Sequence, residues 1–187
     1  DLSDNIETKG LGLSDIHFLN PSKGWISAFA SPIILYTEDG GMTFTEQSTQ
    51  YENLSVYMLN EREGYAGGNN GRLYKTDDGG NTWVTHGSLG ATLTSISFPP
   101  GSNDLNAKGY CCGDGGRIYQ ITRDGIEKME SNSSSNLSSI SFPNESEGWA
   151  CGQNAIRHYV DGEWQSDQSY SSGGYNDLFF LPGTTIG

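Results

Sequence analysis

Three arginines stand near the same kind of turn in this 187-residue chain. Arg72 follows Gly68-Asn69-Asn70-Gly71, Arg117 follows Gly113-Asp114-Gly115-Gly116, and Arg157 follows Gly152-Gln153-Asn154-Ala155-Ile156. A guanidinium is a planar fork of donors that matches a carboxylate. A row of such forks could therefore recognise an acidic or C-terminal peptide, with Asn69, Asp114 and Asn154 as loop partners. Arg72 and Arg117 are in register, and Arg157 is offset by one or two residues. The competing reading is that each arginine pairs with a local acid and only solvates the rim.

Other chemistry is thinly represented. Hydrolysis of a glycoside needs two carboxylates about 5 to 9 Å apart facing the substrate. Most acids here instead fall in turns and repeat tails, among them Asp39, Asp78, Glu61, Glu63, Glu145 and Glu147. A glycoside hydrolase or carbohydrate-binding module is kept as an alternative. The histidines His17, His86 and His158 show no metal-ligand spacing, and no EF-hand pattern follows the Asp-Gly turns, so no metal or cofactor is expected. Cys111, Cys112 and Cys151 form neither a disulfide framework nor a zinc pattern. Cys112 and Cys151 hold equivalent places in successive repeats, where the choice lies between small buried filler and an inter-repeat disulfide. Tyr74, Tyr119 and Tyr159 follow the arginines and read as packing more readily than as a glycan platform.

The elements that carry these residues come from a repeat. Leu13-Ser14-Asp15-Ile16-His17-Phe18 returns as Leu54-Ser55-Val56-Tyr57-Met58-Leu59, Leu93-Thr94-Ser95-Ile96-Ser97-Phe98, Leu137-Ser138-Ser139-Ile140-Ser141-Phe142 and Tyr175-Asn176-Asp177-Leu178-Phe179-Phe180. Each of the first four copies is followed by a Gly-aromatic pair: Gly24-Trp25, Gly64-Tyr65, Gly109-Tyr110 and Gly148-Trp149. A Gly/Asn turn, an apolar strand and an Asp-Gly turn with an aromatic complete the unit. Period-two segments bounded by turn residues, repeated at about 40 residues, predict four-stranded antiparallel blades. The fold class is therefore all-β, a β-propeller. Its blades span approximately 13–53, 54–92, 93–136 and 137–174, and a fifth begins at 175–187. We name the strands of a blade A to D. In a propeller the B–C and D–A loops share one face, which places the arginines there.

The turns Thr37-Glu38-Asp39-Gly40-Gly41-Met42-Thr43-Phe44 and Thr76-Asp77-Asp78-Gly79-Gly80-Asn81-Thr82-Trp83 look like Asp-boxes. Thr37, Asp39, Gly41 and Phe44, and Thr76, Asp78, Gly80 and Trp83, are read as structural: the carboxylate accepts backbone N–H groups and the glycines supply positive φ. Two later copies have decayed, leaving Asp124 in one and Asp161 with Trp164 in the other. The whole unit resembles the photosystem II stability/assembly factor-like propellers. It is also similar, more loosely, to the repeats of sialidases, sortilin-type receptors and xyloglucan hydrolases. Such propellers usually have seven blades, so the resemblance implies part of a larger ring. It also implies a non-catalytic scaffold with an arginine patch, to which Arg72 and Arg117 correspond and, less closely, Arg157. That patch would hold a protein partner and assist assembly of a membrane complex.

Composition bounds the remaining classes. The formal charge is −13, from 23 acids and 10 bases. Such a surface repels a phosphate backbone, so nucleic acid is not an expected ligand, and a basic protein surface is a second partner type. No run approaches the roughly 18 apolar residues of a membrane span. An exported setting is expected: thylakoid lumen, periplasm or extracellular space. Sequons at Asn53, Asn132, Asn136 and Asn144, with Ser-rich stretches, also permit an extracellular adhesion module.

Overall fold

A computed structural model describes residues 11–104, 106–166 and 173–180. Among the described residues sixteen strands form four sheets of four, each an antiparallel meander in chain order. The chain divides into two compact units, Asp1–Gly90 and Ala91–Gly187.

The first unit carries two blades. Blade 1 is β1 (Leu13–Phe18), β2 (Gly24–Ala28), β3 (Ile33–Thr37) and β4 (Thr45–Ser48). Blade 2 is β5 (Asn53–Met58), β6 (Gly64–Gly68), β7 (Arg72–Thr76) and β8 (Val84–Ser88). Val56 and Met58 of β5 pack on Trp25 and Ile34 of blade 1. The Asp15 carboxylate fastens the seam, accepting from Ser55 Oγ at 2.7 Å and from Val56 N at 3.0 Å. Trp25 Nε1 donates to the carbonyl of Gly79 at 3.2 Å, in the Asp-box of the following blade.

The second unit repeats the plan. Blade 3 is β9 (Leu93–Ser97), β10 (Gly109–Gly113), β11 (Ile118–Ile121) and β12 (Ile126–Met129). Blade 4 is β13 (Leu137–Ser141), β14 (Gly148–Gly152), β15 (Ala155–Val160) and β16 (Glu163–Ser166). Ile140 and Phe142 pack with Tyr110 and Ile118, the counterparts of Trp25 and Ile34. Tyr110 and Phe142 stack with centroids 3.8 Å apart. Residues 175–180 run along blade 4, where Ser139 Oγ donates to Asp177 at 2.7 Å and Phe180 stacks on Trp149 at 4.3 Å.

Strand pairing fixes which residues are equivalent. Ser27, Gly67, Cys112 and Cys151 share one place on strand B, opposite Ile34, Leu73, Ile118 and Ile156. Opposite Ser27 and Gly67 on strand A stand Asp15 and Ser55, so the second copy is shifted by one from its sequence match and Asn53 holds the place of Leu13. The cause is a buried polar group. Asn53 is fully enclosed, and its amide donates to Thr49 Oγ1 and to the carbonyl of Tyr51. It closes the preceding loop where a leucine would otherwise sit.

The glycine of each Gly-aromatic pair has a steric task. A Cβ on Gly148 would lie 2.5 Å from the Phe142 ring, and one on Gly24 would lie 2.6 Å from the Phe18 ring. In blades 1, 3 and 4 a strand-A phenylalanine occupies the space where only hydrogen fits, and in blade 2 Met58 does so.

Two Asp-boxes are fully formed. The Asp39 carboxylate accepts from Thr37 Oγ1 (2.8 Å), Thr43 N (2.9 Å) and Thr43 Oγ1 (2.6 Å). Asp78 repeats this with Thr76 and Thr82. The hydroxyl of Thr43, then its N–H, then the hydroxyl of Thr37 lower the Asp39 pKa to about 2. The third copy is closed differently: Thr122 N and Oγ1 both donate to the Gly125 carbonyl, at 2.9 and 3.1 Å. In the fourth, Asp161 and Gly162 adopt φ of 53° and 86° in a two-residue hairpin between Val160 and Glu163, the left-handed pair such turns favour. The loss of the box thus follows from a shorter turn that needs no carboxylate scaffold.

Candidate arginine-bearing loop site

Arg72 opens β7 directly after a 3-10 turn at Asn69–Gly71, where Asn70 and Gly71 take φ of 60° and 65°. Left-handed backbone at two successive residues explains why Asn and Gly are used there. The turn is tied to the D–A loop of blade 1. Asn69 N donates to the Glu52 carbonyl at 3.2 Å, and Asn69 Nδ2 donates to the Glu52 carboxylate at 2.8 Å. The Arg72 guanidinium carbon lies 5.5 Å from the centre of the Tyr51 ring, in cation–π range. Its Nε is buried and has no hydrogen-bond partner. No carboxylate among the described residues lies within ion-pairing distance of Arg72, so its fork is held against an aromatic without being neutralised.

The same turn recurs in the second unit. Asp114–Gly116 forms a 3-10 turn with Gly115 and Gly116 at φ of 67° and 70°, and Arg117 follows it, half-buried. Asp114 N donates to the Thr92 carbonyl, and Gly115 N to Asn136 Oδ1 at 2.8 Å. Arg117 therefore occupies the position of Arg72. Burial raises the pKa of nearby Tyr119, and the Arg117 charge works against that rise.

In blade 4 the B–C turn is one residue shorter, and Gly152 pairs with Ala155. Ala155 thus takes the arginine position, and Arg157 lies two residues further along the strand, settling the offset left open by sequence. Its guanidinium donates to the carbonyls of Ile156 (2.9 Å) and Asn132 (3.2 Å), its Nε is buried without a partner, and burial lowers its pKa. Asn154 is exposed at φ 53° and aligns with Asn70, so it is not a counterpart of Asn69. It holds Gly173 through Oδ1 at 2.9 Å. Arg157 binds main-chain oxygens and Arg72 faces a ring, so neither is spent on a local acid.

Sequence reasoning missed Tyr51, Glu52, Asn132 and Asn136. All four lie in D–A loops, which face the same way as the B–C turns in a propeller, and that geometry was the available signal. The cysteines are free and buried; burial raises Cys112 to about 12 and Cys151 to about 11. These are packing thiols, and Cys112 is further held by Thr94 Oγ1, 3.6 Å from its sulfur. Among the described residues no cluster of metal-ligating side chains occurs, and no helix is long and apolar enough to cross a membrane.

Residues 2–93 match the family model of the photosynthesis system II assembly factor YCF48. The chain is an Asp-box β-propeller that resembles those assembly factors. The matched stretch holds blades 1 and 2, both intact Asp-boxes and Arg72. No curated protein matches it in sequence.

Among solved structures, this propeller is similar to virginiamycin B lyase from Staphylococcus aureus, at 19% identity and a TM-score of 0.72, covering 87% of this chain and 57% of that one. It is similar to an ancestral GH74 enzyme at 14% identity and a TM-score of 0.67, covering 83% of this chain and 24% of that one. YCF48 bound to D1 peptide aligns at 16% identity with a TM-score of 0.48, covering 95% of this chain and 74% of that one. The chain thus spans little more than half of the lyase and a quarter of the GH74 enzyme. At such identities the two enzymes speak for the fold alone.

Proposed function

We propose that this chain is a non-catalytic binding propeller that captures a protein partner through the arginines of its B–C turns, as an assembly or stability factor for a photosystem II-like membrane complex. One observation carries the reading: Arg72 is held over Tyr51 with its guanidinium unneutralised. A carboxylate arriving there gains a charge-assisted bond without first displacing an internal acid. The YCF48 match over the residues that build this turn supports the assignment of the complex. The partner segment is an acidic or C-terminal peptide, with Asn69, Asp114 and Asn154 shaping the loops and with Arg72, Arg117 and Arg157 each offering a guanidinium at its own turn. The setting is an exported compartment such as a thylakoid lumen or periplasm.

The test is capture from a native membrane fraction by wild type and by Arg72→Glu/Arg117→Glu. The double variant should fold normally and lose the partner. Unchanged recovery would remove the arginine site. Binding of a peptide with a free C-terminus against its amide separates carboxylate recognition from general charge.

A further inference from the structure

The seams of the two units differ at one buried donor. Between blades 1 and 2 the Asp-box carbonyl of Gly79 accepts from Trp25 Nε1 at 3.2 Å and from Gln47 Nε2 at 2.9 Å. Gln47 Oε1 in turn accepts from Trp83 Nε1 at 3.4 Å. The seam between blades 3 and 4 has lost both acceptors. Blade 4 turns through Asp161-Gly162, so it has no counterpart of Gly79. Met129 stands at the place of Gln47, and Trp164 at that of Trp83. Trp164 is 2% exposed, and its Nε1 is buried with no hydrogen-bond partner. An enclosed N–H in that state calls for an acceptor from outside the chain.

Trp164 and Met129 line a cleft of about 460 Å³ in this seam, together with Gln120 and Tyr159. The last two also line an adjoining cleft of about 470 Å³. One wall of the second cleft comes from connection 98–108 of blade 3, which is longer than its counterparts 19–23, 59–63 and 142–147. Acids predominate in both. Glu127, Glu130 and Glu163 line the first and Asp104 and Glu145 the second, against Lys128 and Lys108. Lys128 is taken by Glu130 at 3.3 Å. Glu127 and Glu163 are exposed and, among the described residues, in no ion pair. A sugar finds no open ring face to stack on, since Tyr159 is 8% exposed and Trp164 2%. The charge favours a basic ligand and the orphaned indole asks that ligand for an oxygen.

We propose that the seam of blades 3 and 4 binds a basic segment of a protein partner. A main-chain carbonyl of that segment accepts from Trp164 Nε1, and its lysine or arginine side chains face Glu127 and Glu163. Met129 is unbranched and flexible, so the carbonyl reaches the indole by displacing a thioether and no backbone. The A–B connection of blade 3 and the C–D hairpin of blade 4 build the site, whereas the arginines sit at B–C turns. It is therefore separate from the arginine turns, opposite to them in charge, and independent of the function proposed for them.

The indole N–H resonances of the isotope-labelled full chain test this, with Trp164 assigned from Trp164→Phe. The probe is acetyl-Gly-Lys-Gly-Lys-Gly-amide, which has no free carboxylate for the arginines to hold. In wild type it should move the Trp164 signal downfield and saturate with a dissociation constant of about 1 mM. Added salt should weaken it. Glu127→Gln/Glu163→Gln, at exposed positions, should keep the circular dichroism of wild type and bind the probe about tenfold more weakly. Met129→Gln supplies an internal acceptor, so its Trp164 signal should lie downfield before any probe is added and the probe should bind about tenfold more weakly. A wild-type Trp164 signal unmoved at about 10 mM probe overturns the proposal. So does an equal shift with an all-glycine peptide of the same length, or a Glu127/Glu163 variant that binds like wild type. A shift produced by a cello-oligosaccharide and not by the peptide would overturn it in favour of a sugar.

Discussion

Asp39 collects three hydrogen bonds from Thr37 and Thr43, and its acidity records them. Its folded pKa of about 2 lies below the ordinary 3.8. A depressed acid stabilises the fold above its unfolded pKa and loses that contribution as pH falls through the folded value. Stability should therefore decline between about pH 4 and pH 2. Asp78 titrates in the same direction: burial pushes its pKa up, and the Thr82 and Thr76 donors outweigh that effect. Asp39→Asn should lower the melting temperature at pH 7 and flatten the acid limb, a pair of readouts that thermal scans from pH 7 to pH 2 would give. If the acid limb keeps its slope, the box carboxylate is not what titrates.

At the scale of elements, a comparison of two seams isolates one side chain. Trp83 Nε1 donates to Gln47 Oε1 on the neighbouring blade at 3.4 Å. Trp164 occupies the place of Trp83 in blade 4, and Met129 occupies the place of Gln47 in blade 3. A thioether accepts poorly, and Trp164 Nε1 is left buried without a partner. Met129→Gln should supply the acceptor and stabilise by about 1 kcal/mol in chemical denaturation. An unchanged or lower midpoint would show that lost apolar packing outweighs the new bond. Gly148→Ala, which forces a methyl against the Phe142 ring, should cost about 1–3 kcal/mol. Replacing Phe142 with Leu in the same chain should recover part of that loss if the ring is the obstacle.

These elements were legible in sequence because their punctuation is physical. Gly-aromatic pairs and Asp-Gly turns have few substitutes, so the strands fell where the pattern put them. The second copy slipped by one residue because Asn53, a buried polar residue, broke an otherwise apolar position while Leu54 offered a better match. Arg157 could not be placed because loop length decides its register, and one residue fewer in the turn moved it two positions from the arginine place. Tyr51 was invisible as a partner of Arg72. Its loop has no counterpart sequence in the other blades, and only the fold brings position 51 beside position 72.

At the scale of the molecule, strand order and cross-blade bonds give a chain of similar sheets, each resting on its neighbour in sequence within a unit. Arrays of this kind approximate nearest-neighbour systems, in which local losses pass to the adjacent repeat before reaching the rest. The arginine prediction belongs here, because Arg72 stays over Tyr51 only while the turn of blade 2 remains tied to the loop that leaves blade 1. Arg72→Glu alone should weaken peptide binding by about 10- to 150-fold, as expected when one charge-assisted bond of roughly 1.5–3 kcal/mol is lost. Titration with a free-acid peptide would measure it, and an affinity within twofold of wild type would exclude Arg72 from the contact.

The bond from Trp25 to the Gly79 carbonyl joins residues 54 apart in the chain. It makes the indole of one repeat a built-in reporter on the bend of the next. Disturbing Asp78 should therefore alter the emission of Trp25 although nothing near that ring in sequence has changed. Damage to a bend would surface one repeat upstream of where it was made.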